Sequence, residues 1–247
     1  NTVGAVGSSG GLRTAYDPLG FASRGGVCAV RVACGVSRIM LGIRFGLAAL
    51  LLLASGSAAL ATCQGRVVLF EDRFERLQPT WGDAGDAFKT EDGKLLVAPE
   101  PATYLWRTNQ ASLYDDVDMC VAVTTIEGIE PEESKAGLVF WYVDENNFYV
   151  FEYAPNGKAS VWRRQRGRWL EQVEWREVEG AEQGDGGTNE LRVVTRGDRA
   201  TLYFGDDEFA EFDGVQPAEG QQVGVFAASP ESGTARFAFD NFKVTRP

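Results

Sequence analysis

The stretch Phe140–Trp162, FWYVDENNFYVFEYAPNGKASVW, holds eight aromatic side chains, and its reading decides the fold. It divides into two extended runs separated by Ala154-Pro155-Asn156-Gly157. Pro155 brings a fixed φ to the first corner of a type I turn, and Gly157 supplies the left-handed residue that closes it. That combination predicts a three-residue hairpin loop with a bulge at the glycine. Ala154 then opposes Lys158, Tyr153 opposes Ala159 and Phe151 opposes Val161. Tyr149, Phe151, Tyr153, Ala159 and Val161 share one face, an apolar one that reads as core. Phe148, Val150, Glu152, Ser160, Trp162 and Arg164 share the other, which mixes flat rings with charge. A two-residue Asn-Gly turn would shift the pairing by one residue and scramble both sets. On the preceding run, simple alternation separates Leu138, Phe140 and Tyr142 from Val139, Trp141 and Val143, and the expectation is that Trp141 joins the mixed face.

The same pattern extends along the chain. After Cys63 the sequence reads as strands at Val67–Phe74, Lys94–Ala98, Ser112–Tyr114, Val117–Ile126, Ala136–Asp144, Phe148–Tyr153, Ala159–Arg164, Trp169–Trp175, Asn189–Arg196, Arg199–Phe204, Glu208–Asp213, Gln222–Ala228 and Ala235–Thr245. Turn-forming stretches such as EDGK, RGD, FGDDE and SPESG bound them. Helical periodicity is absent. Short strands rich in β-branched and aromatic residues predict an all-β fold, an antiparallel two-sheet sandwich of jelly-roll type. The polar stretch EGAEQGDGG before Asn189 reads as a loop within that domain.

The N-terminal part reads differently. Met40 opens MLGIRFGLAALLLLASGSAALATC, with one arginine (Arg44), an apolar run over Leu47–Ala54 and small residues ending Ala59-Leu60-Ala61. This is the layout of a secretory signal and too short an apolar core for a comfortable membrane span. Residues 40–61 are therefore read as a signal peptide, with an uncleaved anchor as the alternative. Residues 1–39 are read as upstream sequence ahead of the true start, and 62–247 as one sandwich domain. Of the chain's 35 acids and 24 bases, residues 1–61 contain only Asp17 and five arginines, so 62–247 carry 34 acids against 19 bases, a net charge of −15. Such a surface repels phosphate backbones and anionic lipid, which argues against nucleic acid as a partner. Once the signal is removed no membrane span is expected; the oligomeric state is not legible.

Two cysteines remain in that domain, Cys63 and Cys120. An oxidising compartment lets them pair and tie the N-terminus to an interior strand. The alternative is lipidation of Cys63, since LATC resembles a lipobox, although Thr62 is a poor residue before the cysteine.

The chain contains no histidine. That removes Ser-His-Asp and Cys-His catalysis and His-ligated zinc, and two cysteines alone cannot build a thiolate metal site. Carboxylates are the remaining catalytic option, as in glycoside hydrolysis. Glu211-x-Asp213 resembles the start of a glucanase acid motif, but Gln216 stands where the last glutamate belongs. Glu171, Glu174 and Glu177 are three residues apart and alternate faces on a regular strand. Both sets read first as solvated surface in so acidic a chain. Asp72 in FEDRF and Asp240 in FDNF are weak calcium candidates, hard oxygen ligands on strands that pair in such folds; the competing reading is that they bond turn backbones. No other cofactor is expected.

FEDRFE…W, GLVFW…ENNFYVFEY, NGKASVWRRQRGRW, NELRVVTRGDRATLYFGD, GQQVGVFA and FDNFKV follow one another across Leu69–Val244. In that arrangement the chain resembles exported bacterial proteins of the concanavalin A-like, laminin-G-like jelly-roll group. It resembles most the branch called 3-keto-disaccharide hydrolase-like, or family-16 glycoside hydrolase-like. The resemblance implies two antiparallel sheets and a concave face where many relatives bind glycans. It does not supply catalysis, because the acid motif is broken. The expectation is an exported, non-catalytic carbohydrate-binding module whose contact face is Trp141, Phe148, Glu152, Trp162 and Arg164, rings against the sugar and charges on its hydroxyls. One alternative is a carboxylate-dependent glycoside hydrolase with Glu152 as the first acid to test. The other is a purely structural envelope protein.

Overall fold

The computed structural model describes residues 63–247; the regions read above as signal peptide and upstream segment lie outside them. Fourteen strands follow in order: β1 Val67–Asp72, β2 Phe88–Glu91, β3 Lys94–Val97, β4 Tyr104–Tyr114, β5 Asp118–Glu127, β6 Lys135–Asp144, β7 Asn147–Ala154, β8 Lys158–Gln165, β9 Arg168–Glu177, β10 Thr188–Arg196, β11 Arg199–Phe204, β12 Asp207–Asp213, β13 Gln221–Ala228 and β14 Arg236–Arg246. The only helical turn among the described residues is a 3-10 turn at Pro79–Trp81. No helix among them is long and apolar enough to cross a membrane. Two strands depart from the sequence reading: β2 was not expected, and β4 begins at Tyr104 rather than Ser112.

All strand pairings among the described residues are antiparallel and form two sheets. An eight-stranded sheet runs β12-β11-β10-β5-β14-β3-β2, with β1 alongside the distal half of β14. A six-stranded sheet runs β4-β13-β6-β7-β8-β9. Their facing sides share one core, in which Leu138, Phe140, Tyr149, Phe151, Tyr153 and Val161 of the smaller sheet meet Val121, Val193, Leu202, Phe237 and Phe239 of the larger. The alternation along the strands thus turns one side of each sheet into this shared core.

The central hairpin has the predicted register. Ala154 pairs with Lys158, Tyr153 with Ala159, Phe151 with Val161 and Phe148 with Arg164. Gly157 takes φ 85°, and its N–H donates to the Ala154 carbonyl at 2.9 Å. Pro155-Asn156-Gly157 is therefore the loop that fixes which side chains face inward.

The N-terminal edge is clamped. Cys63 and Cys120 form a disulfide with Cα atoms 5.4 Å apart. A sulfur so bonded cannot carry a thioether-linked lipid, so in this form of the protein the lipobox reading of Cys63 is ruled out. Beside it, buried Asp118 receives Arg192 through Nε at 2.7 Å and Nη2 at 3.0 Å, and the N–H groups of Gln64 and Gly65 at 2.9 Å each. Four charge-assisted or backbone donors on one carboxylate satisfy an ion that burial would otherwise penalise.

Asp72 and Asp240 serve the backbone and a core ring. One Asp72 oxygen accepts from the Phe74 N–H at 2.8 Å and the other from the Trp81 indole at 2.9 Å. Asp240 accepts from the N–H of Asn241 at 2.7 Å, where β14 bulges and Asn241 has φ 53°. These are the turn and bulge roles that short acidic side chains fill. Among the described residues no group of three or more His, Cys, Asp or Glu side chains could hold a metal ion.

Candidate functional site

The side of the six-stranded sheet that faces away from the core carries the candidate residues. Cross-strand partners share a face, so the pairings lay it out in rows. One row runs Trp106, Phe226, Gly137, Glu152 and Ser160. The next runs Thr108, Gly224, Val139, Val150, Trp162 and Glu171. Phe148, Arg164 and Trp169 continue a third.

This face is concave. β4 and β9 are opposite edges of a six-stranded sheet, and in a flat sheet five strand spacings of ~4.8 Å would hold them roughly 24 Å apart. Yet Tyr104 of β4 and Trp169 of β9 have ring centroids only 5.7 Å apart, and Arg164 Nη1 donates to the Tyr104 hydroxyl at 2.6 Å. The sheet therefore curls until side chains from its two edges meet. Two glycines on the curved face show how. A Cβ on Gly224 would overlap the Arg107 carbonyl on β4, and one on Gly137 would overlap the Phe151 carbonyl on β7. Only a residue without a side chain allows neighbouring backbones to approach so closely.

Curvature splits the face into two halves. In the closed half Trp106, Tyr142, Phe148, Val139, Val150 and Phe226 form a second apolar cluster, with Tyr104 and Trp169 packed against it. Trp106 lies 5.1 Å from Phe148, and Phe148 lies 5.5 Å from Trp169 in an edge-to-face pair. Arg164 sits among these rings, its guanidinium carbon 5.8 Å from Tyr104, 5.9 Å from Trp106 and 5.4 Å from Trp169. Its Nε is buried without a hydrogen-bond partner.

In the open half, Trp162 is half-buried. Its indole N–H donates to Ser160 Oγ at 2.9 Å, and Ser160 Oγ donates to Glu152 Oε1 at 3.4 Å. Glu152 is only 5% exposed, and burial pushes its carboxyl up to about 7, with Lys135 and the Ser160 hydrogen bond pulling the other way. Lys135 in turn lies 5.7 Å above the Trp175 ring. A cleft of about 720 Å³ adjoins the face at its other end, lined by Trp81, Asp83, Arg107, Thr108, Tyr142 and Gln222 among others.

Of the five expected contact residues, Trp162 and Arg164 are half-buried on this face, in its open and closed halves respectively, and Glu152 lies beneath Trp162, 5% exposed. Two need correction. Trp141 lies in the main core, 1% exposed, against Tyr149 at 5.0 Å and Phe212 at 6.1 Å. Its φ of 46° and the register break between Phe140 and Asp144 mark a bulge, which turns Phe140 and Trp141 inward together and gives the outer position to Tyr142. The Gln221 side-chain oxygen accepts the Trp141 N–H at 2.8 Å and holds that bulge. Phe148 does lie on the predicted face, but it is 1% exposed within the aromatic cluster and offers no ring surface to a ligand.

The other acids are not brought together as a catalytic pair. Glu211 and Asp213 lie on β12, an edge of the opposite sheet, and both bind Arg199 at 3.3 and 3.2 Å. Register breaks in β8–β9 pairing put Glu171 opposite Trp162 and Glu177 opposite Lys158, on the same side. Regular alternation had not allowed for that, yet six residues of strand span roughly 20 Å, beyond the ~5–10 Å a pair of hydrolytic carboxylates needs. Tyr104, Trp106, Trp169 and Phe226 were not singled out in the sequence. Their common signal, an aromatic residue at an outward position of a strand, is visible only once the strand pairings are known.

No protein-family model matches the chain, and no curated protein does. Among solved structures it is similar to a β-glucanase from Bacillus licheniformis, at 9% identity and TM-score 0.52, over 72% of this chain and 98% of that one. A laminarinase from Flavobacterium sp. UMI-01 gives 12% identity and TM-score 0.51, over 72% of this chain and all 100% of the other. The GH43 BlXynB protein from Bacillus licheniformis gives 16% identity and TM-score 0.53 over 71% of this chain, which spans only 39% of that protein. Together with the two antiparallel sheets, these likenesses show the fold: the chain is an antiparallel two-sheet jelly-roll β-sandwich.

Proposed function

We propose that the protein is an exported carbohydrate-binding module whose platform is the open half of the concave face, centred on Trp162. The observation that carries this reading is the state of that indole. It is half-buried, makes no ring–ring contact among the described residues, and is held in place by the hydrogen bond to Ser160, itself bonded to Glu152. A flat apolar ring fixed in advance costs little entropy on binding, and the apolar face of a pyranose stacks on such a ring. Trp175 with Lys135 lies on the same side, so a chain of sugars has a second ring to meet. The names of the similar structures, a β-glucanase and a laminarinase, suggest a neutral glucan as first probe. The Cys63–Cys120 disulfide is in keeping with an oxidising compartment.

Titration with laminarin by calorimetry tests the reading. Saturable binding that falls at least tenfold in Trp162→Ala, with the fold intact, is the expected result. Unchanged affinity in that variant rejects this face, and absence of binding to any glycan on an array favours the structural envelope role.

One observation supports a second reading, a glycoside-processing enzyme. A carboxyl held near 7 is suited to donating a proton at neutral pH, and Glu152 is such a group. No second carboxylate contributes to its shift, which weakens a paired-acid mechanism. Release of reducing sugar or consumption of a 3-keto-disaccharide, abolished by Glu152→Gln, would establish catalysis.

A further inference from the structure

Arg164 has no place in a neutral platform, and its surroundings point to a charged ligand. None of the ion pairs among the described residues involves it. Its Nη1 is anchored by the Tyr104 hydroxyl at 2.6 Å, its Nε is buried without a partner, and three aromatic rings lie within 5.9 Å of its guanidinium carbon. Among the described residues no acceptor is hydrogen-bonded to Nη2, and the side chain as a whole is only half-buried. The cage holds the guanidinium rigidly and keeps water from much of its surface, so that a charge-assisted hydrogen bond made there is stronger than one made in free solution. Within the described residues the charge balance is strongly acidic, so an unpaired, ring-caged cation on the concave face stands out against its background.

Position makes the link to the platform. Arg164 follows Trp162 by two residues on β8, so the two side chains rise from the same face, with Cα atoms roughly 6.6 Å apart. A pyranose stacked on Trp162 therefore brings a substituent at its rim within reach of Nη2. Ser160 and Glu152 flank Trp162 on the other side.

We infer that the concave face selects acidic glycans, with Arg164 binding an oxyanion carried on the sugar that stacks on Trp162. The inference rests on the carbohydrate-binding reading above and adds the ligand class. The oxyanion is a uronate carboxylate or a sulfate ester; both offer the paired acceptor oxygens that a guanidinium donates to.

Calorimetry at about 0.15 M salt, where diffuse attraction between surface charges is largely screened, compares three probes: polygalacturonate, dextran sulfate and laminarin. One of the two acidic polymers should bind at least tenfold tighter than laminarin, and which one identifies the oxyanion. Arg164→Gln and Arg164→Lys should each erase that preference, the lysine because it keeps charge but not the planar fork. Near-UV circular dichroism checks that the aromatic cluster survives. Tyr104→Phe, which keeps Arg164 and removes only its anchor, should reduce the preference several-fold and serves if both Arg164 variants unfold. Equal affinity for acidic and neutral polymers, or a preference that persists in the variants, overturns the inference and leaves the platform standing. Binding of none of the three removes the platform and the inference together.

Discussion

The two halves of the concave face are built from the same kinds of residue and end in opposite states. Trp106, Phe148 and Trp169 pack ring against ring, and Phe148 and Trp106 are 1% and 4% exposed. Trp162, on the same side of the same sheet, has a hydroxyl and a carboxyl for company and is only half-buried. The difference comes from curvature. At Gly224 and Gly137 the neighbouring strands close in, and the edge residues Tyr104 and Trp169 meet across the face. Rings beneath that closure become a second core, whereas Trp162, with no ring across from it, remains a surface. An aromatic side chain on a sheet is thus a core residue or a ligand platform according to what the sheet's far edge brings over it.

Substitutions on either side of this divide should behave differently. The largest effect is expected in the closed half: Trp106→Ala removes the ring that bridges Tyr104 and Phe148, and should cost about 3–5 kcal/mol of stability by urea unfolding. A loss below about 1 kcal/mol would mean that the cluster is not a core.

Glu152→Gln comes next and reports on the buried floor of the open half. Its folded pKa of about 7 lies above the ordinary carboxyl value of 4.5, so burial of the protonated acid costs nothing below about pH 4.5. Stability is lost as pH rises from there to about 7, where the folded state must also ionise, and the deficit is constant above. The glutamine variant should therefore gain up to about 3 kcal/mol over the parent protein at pH 8 and nothing at pH 4, measured by unfolding at both pH values. An equal gain at both would disconnect the effect from ionisation.

Trp162→Ala should cost less stability than Trp106→Ala, about 1–2 kcal/mol by urea unfolding, since a half-buried ring outside the aromatic cluster loses less burial, while glycan affinity falls at least tenfold. A large loss of stability would place Trp162 with the closed half instead. The smallest change is Tyr104→Phe, which deletes one hydroxyl acceptor of Arg164 and should cost about 1 kcal/mol in thermal unfolding.

Several parts of this architecture were legible in the residues. Ala154-Pro155-Asn156-Gly157 encodes its own geometry, because a proline φ and a left-handed glycine admit few turns, and the pairing of Phe151 with Val161 followed. The bulge at Trp141 was not legible. Trp141 has no glycine or proline to mark it, and its positive φ is held by Gln221, eighty residues away. The strand from Tyr104 was hidden for a related reason: the polar residues Thr108, Asn109 and Gln110 interrupt its apolar pattern, and pairing with β13 supplies what local propensity lacks. Without β4 neither Tyr104 nor Trp106 could be placed over Arg164.

The sequence by itself therefore determined the fold class, the strand alternation, the inward face of the central hairpin and the pairing partner available to Cys63, because each rests on local geometry or on a period of two. Only the tertiary structure decided which outward aromatics are buried, that Arg164 is caged without an acid, and that Trp162 is the ring left open. Those outcomes depend on how far the sheet curls, a property of all six strands together that no single stretch contains.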